Sequence, residues 1–203
     1  MLKNKYEAVI FDLGNVLLKV DFSRGPISLL TGSDIDYNTI INELYKEQLF
    51  IDFNKGLLTP HQFYKEIIRR FNLDIEFEQF ASKWCDIFTP IPGMKQIVKK
   101  LAENCRAGLL SDTDPLHWHY CLQQFSYLNI FEKPSLSYEI GSLKPAAINY
   151  LTAAKNVNTP PEKCVFIDDR DVNVRGARKA GMEAVQFVSA EQVSSELKML
   201  GIL

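Results

Sequence analysis

The sequence predicts an α/β fold, a parallel sheet flanked by helices, with a helical cap inserted after the first strand. Four short apolar runs carry the first half of that reading. Ala8 to Phe11, Ala107 to Leu110, Cys164 to Ile167 and Ala184 to Val188 lack polar alternation, the pattern of strands covered on both faces. The second half rests on residues 22 to 90, rich in Ile, Leu, Phe and Tyr at helical spacing and without a convincing strand.

The first strand runs into Asp12, and the insertion follows it. Thr59-Pro60 reads as a cap opening a helix through about Phe71, and Phe77 to Phe88 continues the helical pattern. Phe50, Phe53, Phe63, Tyr64, Phe71, Phe77, Phe80 and Trp84 recur at spacings that build a helical core, and most are assigned to it. Beyond the insertion, helices are expected over Met94 to Glu103 after Pro92-Gly93, over Ala146 to Asn156 after Pro145, and over Val172 to Ala180 before Gly181. Proline near a helix start and glycine just past its end are the punctuation that sets these limits. Thr159-Pro160-Pro161 marks the turn into the strand at Cys164.

The 203 residues suit one domain with a sizeable insertion, and 46% hydrophobic with 24% charged residues is enough to bury a core. No apolar stretch is long enough to cross a bilayer, so no membrane partner is expected. Net charge is −2 with basic residues scattered, which argues against nucleic acid as a partner. Cys85, Cys105, Cys121 and Cys164 lie far apart without CxxC spacing, and no secretory signal precedes Asp12; a cytoplasmic location is expected. Oligomeric state is not legible.

In open α/β sheets ligands bind beyond the carboxyl ends of the strands, so the residues ending each run are read together. The first run ends in Phe11-Asp12-Leu13-Gly14-Asn15, the second in Ser111-Asp112-Thr113-Asp114 and the third in Asp168-Asp169-Arg170-Asp171, with Lys144-Pro145 between the last two. Converging there, they concentrate negative charge around one lysine. Carboxylates so close require a proton or a cation among them, and Mg2+, a hard ion bound by oxygen, fits.

These motifs, FDLGNVLLKVDF with SDTDPLH, a lysine before proline and FIDD, resemble the haloacid dehalogenase superfamily across residues 9 to 181 and, within it, sugar-phosphate phosphatases with FDLGNV in place of the commoner DxD. The resemblance implies a Rossmann-like core of residues 1–21 and 91–203 and a helical cap of residues 22–90. It implies phosphomonoester hydrolysis of a small phosphorylated metabolite through an aspartyl-phosphate on Asp12. Mg2+ would be held by Asp12, the Gly14 carbonyl, Asp168 and Asp169, with Asn173 holding a bound water. Ser111 and the Asp112 amide would bind the phosphoryl oxygens, and Lys144 would neutralise charge on phosphate and nucleophile.

Two departures stand out. Position 14 is Gly where most phosphatases of the family carry a second Asp as acid and base, help worth about 10²- to 10⁴-fold. Asp112, Asp114 and His117 are the nearest substitutes by motif position; alternatively, activated esters such as sugar 1-phosphates need no such help. Position 112 is Asp where Asn is usual, a carboxylate that would repel phosphate unless protonated or turned away. His61, His117 and His119 otherwise read as surface or packing residues. Two other functions remain open: a metal-independent 2-haloacid dehalogenase, whose family lacks the acidic pair present here as Asp168-Asp169, and a phosphate-binding protein without turnover.

Overall fold

The computed structural model describes residues 5–25 and 47–203. The part of the expected insertion from 26 to 46 lies outside them. The expected parallel sheet is present. It consists of β1 (Ala8–Phe11), β4 (Arg106–Ser111), β5 (Ser135–Leu136), β6 (Cys164–Asp168) and β7 (Glu183–Gln186) in the order β5-β4-β1-β6-β7. Every pairing is parallel. A separate antiparallel pair joins β2 (Leu18–Val20) to β3 (Phe88–Pro90), where the chain leaves for the inserted helices and returns.

Alternate residues of the central strands feed two apolar layers, as the two-residue period of a strand requires. Val9, Phe11, Val165 and Ile167 pack on one face with Met94, Val98 and Leu101 of α4 (Met94–Ala102) and Val193 and Leu197 of α9 (Ala190–Met199). Ala8, Ile10, Cys164 and Phe166 pack on the other with Tyr150 and Ala153 of α7 (Ala147–Asn156) and Val174 and Ala177 of α8 (Asp171–Lys179). Both faces being covered is why these strands appear as unbroken apolar runs. α5 (Pro115–Gln124) and the short α6 (Ser137–Ile140) complete the core helices.

The insertion has its own core. α1 (Gln48–Asn54), α2 (Pro60–Phe71) and α3 (Phe77–Cys85) enclose Phe53, Phe63, Ile67, Phe80 and Trp84. Phe53 and Phe63 stack at 4.2 Å between ring centroids, and Phe63 meets Trp84 edge-on at 4.9 Å. Thr59 opens α2 with the expected cap. Its hydroxyl accepts from Gln62 N–H at 3.3 Å, and the Gln62 side chain accepts from Thr59 N–H at 2.8 Å.

The sequence reading misses three strands, of which β2 spans only Leu18–Val20. β5 holds only two residues, too few to produce a pattern. β3 falls inside the stretch read as helix to Phe88. α3 ends at Cys85, and Phe88–Pro90 extends to pair with β2. The proline at β3's end sits on an edge, where a missing N–H is tolerated.

Candidate active site

Strand register builds the site. β1 lies between β4 and β6, the place where successive connections leave in opposite directions and a crevice opens beyond the strand ends. Phe11 pairs with Ile167, so the next residue on each strand brings Asp12 level with Asp168. Asp12 N–H donates to the Ile167 carbonyl at 2.9 Å. Ser111 ends β4 beside them and is buried. Asp12, Gly14, Asn15, Asp112, Lys144, Asp169, Arg170 and Asn173 line one cavity of about 340 Å³, with Val20, Phe22, Phe50, Ile51, Asn54 and Leu143 forming the rest of its wall. Ser111 is not among the lining residues.

The Lys144 ammonium bridges two of the strand ends. It lies 2.8 Å from Asp12 Oδ1 and 2.7 Å from Asp168 Oδ2, with all three side chains buried. Asp168 is held from three sides. Arg170 N–H reaches Oδ1 at 2.8 Å, and Asn173 Nδ2 donates to both oxygens at 3.0 and 3.1 Å. Asn173 thus orients a carboxylate directly, where the sequence reading gave it a water. Its own Oδ1 is buried with no hydrogen-bond partner among the described residues.

Charge is unbalanced. Asp12, Asp112, Asp168 and Asp169 surround a single lysine. Burial, reinforced by Asp168 and opposed by Lys144, pushes the Asp12 carboxyl up to about 8. Burial also raises Asp112, and burial together with Asp168 raises Asp169. Burial opposes the charge on Lys144, yet Asp12, Asp168 and Asp112 outweigh it and raise its pKa. Oxygens of Asp12, Asp168 and Asp169 lie within 4.8 Å of one another. That all-oxygen set, with the orphaned Asn173 Oδ1 behind it, fits a hard divalent cation, which would relieve the repulsion that otherwise favours protonation.

Asp112 is turned toward the lysine loop, its Oδ1 accepting from Lys144 N–H at 3.0 Å. Gly14 has little room for a side chain, because an added Cβ would lie 3.3 Å from Val20 Cγ2. His117 and Asp114 are drawn away from the cavity. Asp114 caps α5 by accepting from His117 N–H at 2.9 Å, and its Oδ2 lies 2.7 Å from His117 Nδ1 and 3.3 Å from Trp84 Nε1. His117 Nε2 meets the Trp84 carbonyl at 3.0 Å, and the two rings stack. Of the three substitutes for an acid at position 14, only Asp112 lines the cavity. The sequence reading does not single out Phe22, Ile51 or Asn54, which the tertiary fold alone brings to the strand ends, and it gives no role to Arg170, although that residue follows the acidic pair directly.

The site thus presents a carboxylate paired to a buried lysine at the carboxyl edge of a parallel sheet, beside further carboxylates able to hold a cation. The model of the haloacid dehalogenase-like hydrolases matches residues 6–181, and the chain belongs to that family. It is 24% identical to D-ribitol-5-phosphate phosphatase of Bacteroides thetaiotaomicron, covering 98% of each chain. It is similar to a solved family enzyme from Bacteroides thetaiotaomicron in complex with magnesium and inorganic phosphate, at 27% identity and a TM-score of 0.79 over 91% of this chain and 95% of that one. The fold alone is shared with a 2-haloacid dehalogenase from Pseudomonas syringae, at 16% identity and a TM-score of 0.68 over 96% of this chain and 99% of that one.

Proposed function

We propose that the protein is a Mg2+-dependent phosphomonoester hydrolase acting on a small phosphorylated metabolite. The observation that carries the reading is the Lys144 bridge between Asp12 and Asp168, with Asp169 completing a three-carboxylate group of which Asp12 and Asp169 line the cavity. A cavity of about 340 Å³ sits near the low end of the roughly 300–1,000 Å³ usual for small-molecule sites, which favours a short ester. The relatives described above support phosphate as the group released.

Asp12, Asp168, Asp169 and the Gly14 carbonyl are the groups that would hold Mg2+, whose charge would favour ionised Asp12 and a bound phosphoryl group. Asp12 attacks phosphorus, forming an aspartyl-phosphate and releasing the leaving oxygen. Lys144 holds Asp12 in place and neutralises charge, while Ser111 and the Asp112 amide serve the phosphoryl oxygens. Asp112 is the lining carboxylate without another assignment among the described residues. Its carboxyl gives a proton to the leaving oxygen, then takes one from the water that attacks the aspartyl-phosphate and frees Asp12. Residues 22–90 act as a cap over this chemistry, with core segments 1–21 and 91–203 beneath. Four unpaired cysteines favour a reducing, cytoplasmic setting.

The test is phosphate release from a panel of sugar, polyol and nitrophenyl phosphates in Mg2+ and in chelator, for the unsubstituted protein and Asp12→Asn. Chelator and substitution should each abolish release. Release that ignores both, or chloride release from chloroacetate in chelator, overturns the reading.

A further inference from the structure

One part of the wall of the cavity holding Asp12 and Lys144 is formed by Val20, Phe22, Phe50, Ile51 and Asn54, which the chemistry leaves without work, as it does Asn15, Leu143 and the Arg170 side chain. Four of these five are apolar, so Asn54 is the polar side chain among them; Asn15 and Arg170 are the other unassigned lining side chains that can hydrogen-bond. Pockets of this kind gain selectivity from a few placed polar groups on an apolar lining. Asn54 is only 5% exposed. Its Nδ2 gives one hydrogen to the Phe50 carbonyl at 2.9 Å, whereas Oδ1 accepts no hydrogen bond among the described residues. One N–H and both lone pairs of Oδ1 therefore remain for a ligand.

The position of Asn54 is fixed from the catalytic side. The Ser137 hydroxyl accepts from Thr113 N–H at 2.9 Å and donates to the Asn54 carbonyl at 2.7 Å. Thr113 directly follows Asp112, so a single hydroxyl ties the end of α1 to the loop that serves the phosphoryl group. Two residues on, Gly56 has φ +71°, and an added Cβ would lie 2.1 Å from the Tyr138 carbonyl. The end of α1 is thus pressed against α6 at a place that admits no side chain. Such preorganisation lowers the ordering cost of binding.

We infer that Asn54 is a specificity-determining residue, hydrogen-bonding a hydroxyl of the leaving group, so that a hydroxylated ester is preferred to an apolar ester of the same length. The inference rests on the hydrolase reading above. An amide suits this task because a hydroxyl both donates and accepts, and an amide can answer either way. An ester lacking hydroxyls leaves the buried amide unpaired, a penalty that discriminates more strongly than an added contact.

The experiment compares D-ribitol 5-phosphate with n-pentyl phosphate, primary esters of equal chain length, by kcat/KM in Mg2+. The unsubstituted protein is expected to favour the polyol ester by about tenfold or more, and Asn54→Leu to bring that ratio down about tenfold, mostly through the polyol ester. Asn54→Ser, which keeps a hydroxyl, is expected to hold an intermediate ratio. If Asn54→Leu loses its cooperative melting transition, Asn54→Ser decides by the same ratio. An unsubstituted protein without preference, or a ratio that the substitution leaves in place, overturns the inference while the hydrolase reading stands. No release from any ester by the unsubstituted protein in Mg2+ removes the hydrolase reading, and the inference with it.

Discussion

At the strand ends, Lys144, Asp12 and Asp168 meet at 2.7 and 2.8 Å, buried and polar. In the helical unit of α1–α3, the centre is instead Phe53 stacked on Phe63, with Trp84 edge-on beside them. The first region is positioned by register and by hydrogen bonds among ionisable groups, and removing one leaves its buried partners uncompensated. The second is positioned by apolar volume, which is non-directional and tolerates change better if volume is kept. Chemistry and selectivity are therefore divided between two kinds of physics. The join runs through a few polar contacts, Asn54 with Ser137 and Trp84 with Asp114 and His117.

The sharpest way to break the comparison is Lys144→Met. Turnover should fall about 10²- to 10³-fold, the usual cost of losing an electrostatic stabiliser, and the metal-free protein should melt lower because four carboxylates lose their one ammonium. Steady-state kinetics beside a melting scan reads both, and near-normal turnover would contradict the role given to Lys144. Trp84→Ala should act on the other region. It removes a fully buried side chain at a cost of about 3–5 kcal/mol, read by denaturant unfolding, and a loss below about 1 kcal/mol would mean that the aromatic centre is not what holds the cap.

The third prediction concerns pH. Asp12 titrates near 8 when folded against an ordinary 3.8, and Asp112 and Asp169 shift in the same direction. The folded state then binds protons more tightly than the unfolded chain. That contribution to stability is complete below about 4 and fades as pH rises through 8. In chelator the melting temperature should decline from pH 5 to pH 8, and Mg2+ should raise it most at pH 8, where fewer protons compete. A melting temperature that climbs across this range in chelator would refute the charge imbalance. The smallest effect is expected at Thr59→Ala, about 1 kcal/mol from the lost cap of α2, with kcat unmoved.

What the sequence displayed follows the same division. Strands buried on both faces leave unmixed apolar runs, and the charged residues ending them stand out, so Asp12, Ser111, Asp168 and Asp169 could be read from position alone. The cap's aromatic spacing was equally plain. Long-range detail was not. His117 meets Trp84 across 33 residues, and the Ser137 hydroxyl meets Asn54 across 83. Neither partner choice is encoded in local spacing, and that is why the sequence offers His117 as a proton-carrier candidate and does not mark Asn54. Asp112 shows the middle case. Its unusual identity was visible, but its turn toward Lys144 N–H needed the folded loop.

Gly56 has a consequence for changing what this protein accepts. Because its missing side chain lets α1 seat against the Tyr138 carbonyl, residue 56 serves as a fixed pivot from which positions 50, 51 and 54 are displayed. A combinatorial library that varies those three and leaves the pivot untouched would explore new leaving groups on an unaltered catalytic frame. The same library with residue 56 included would spend most of its members on displaced helices.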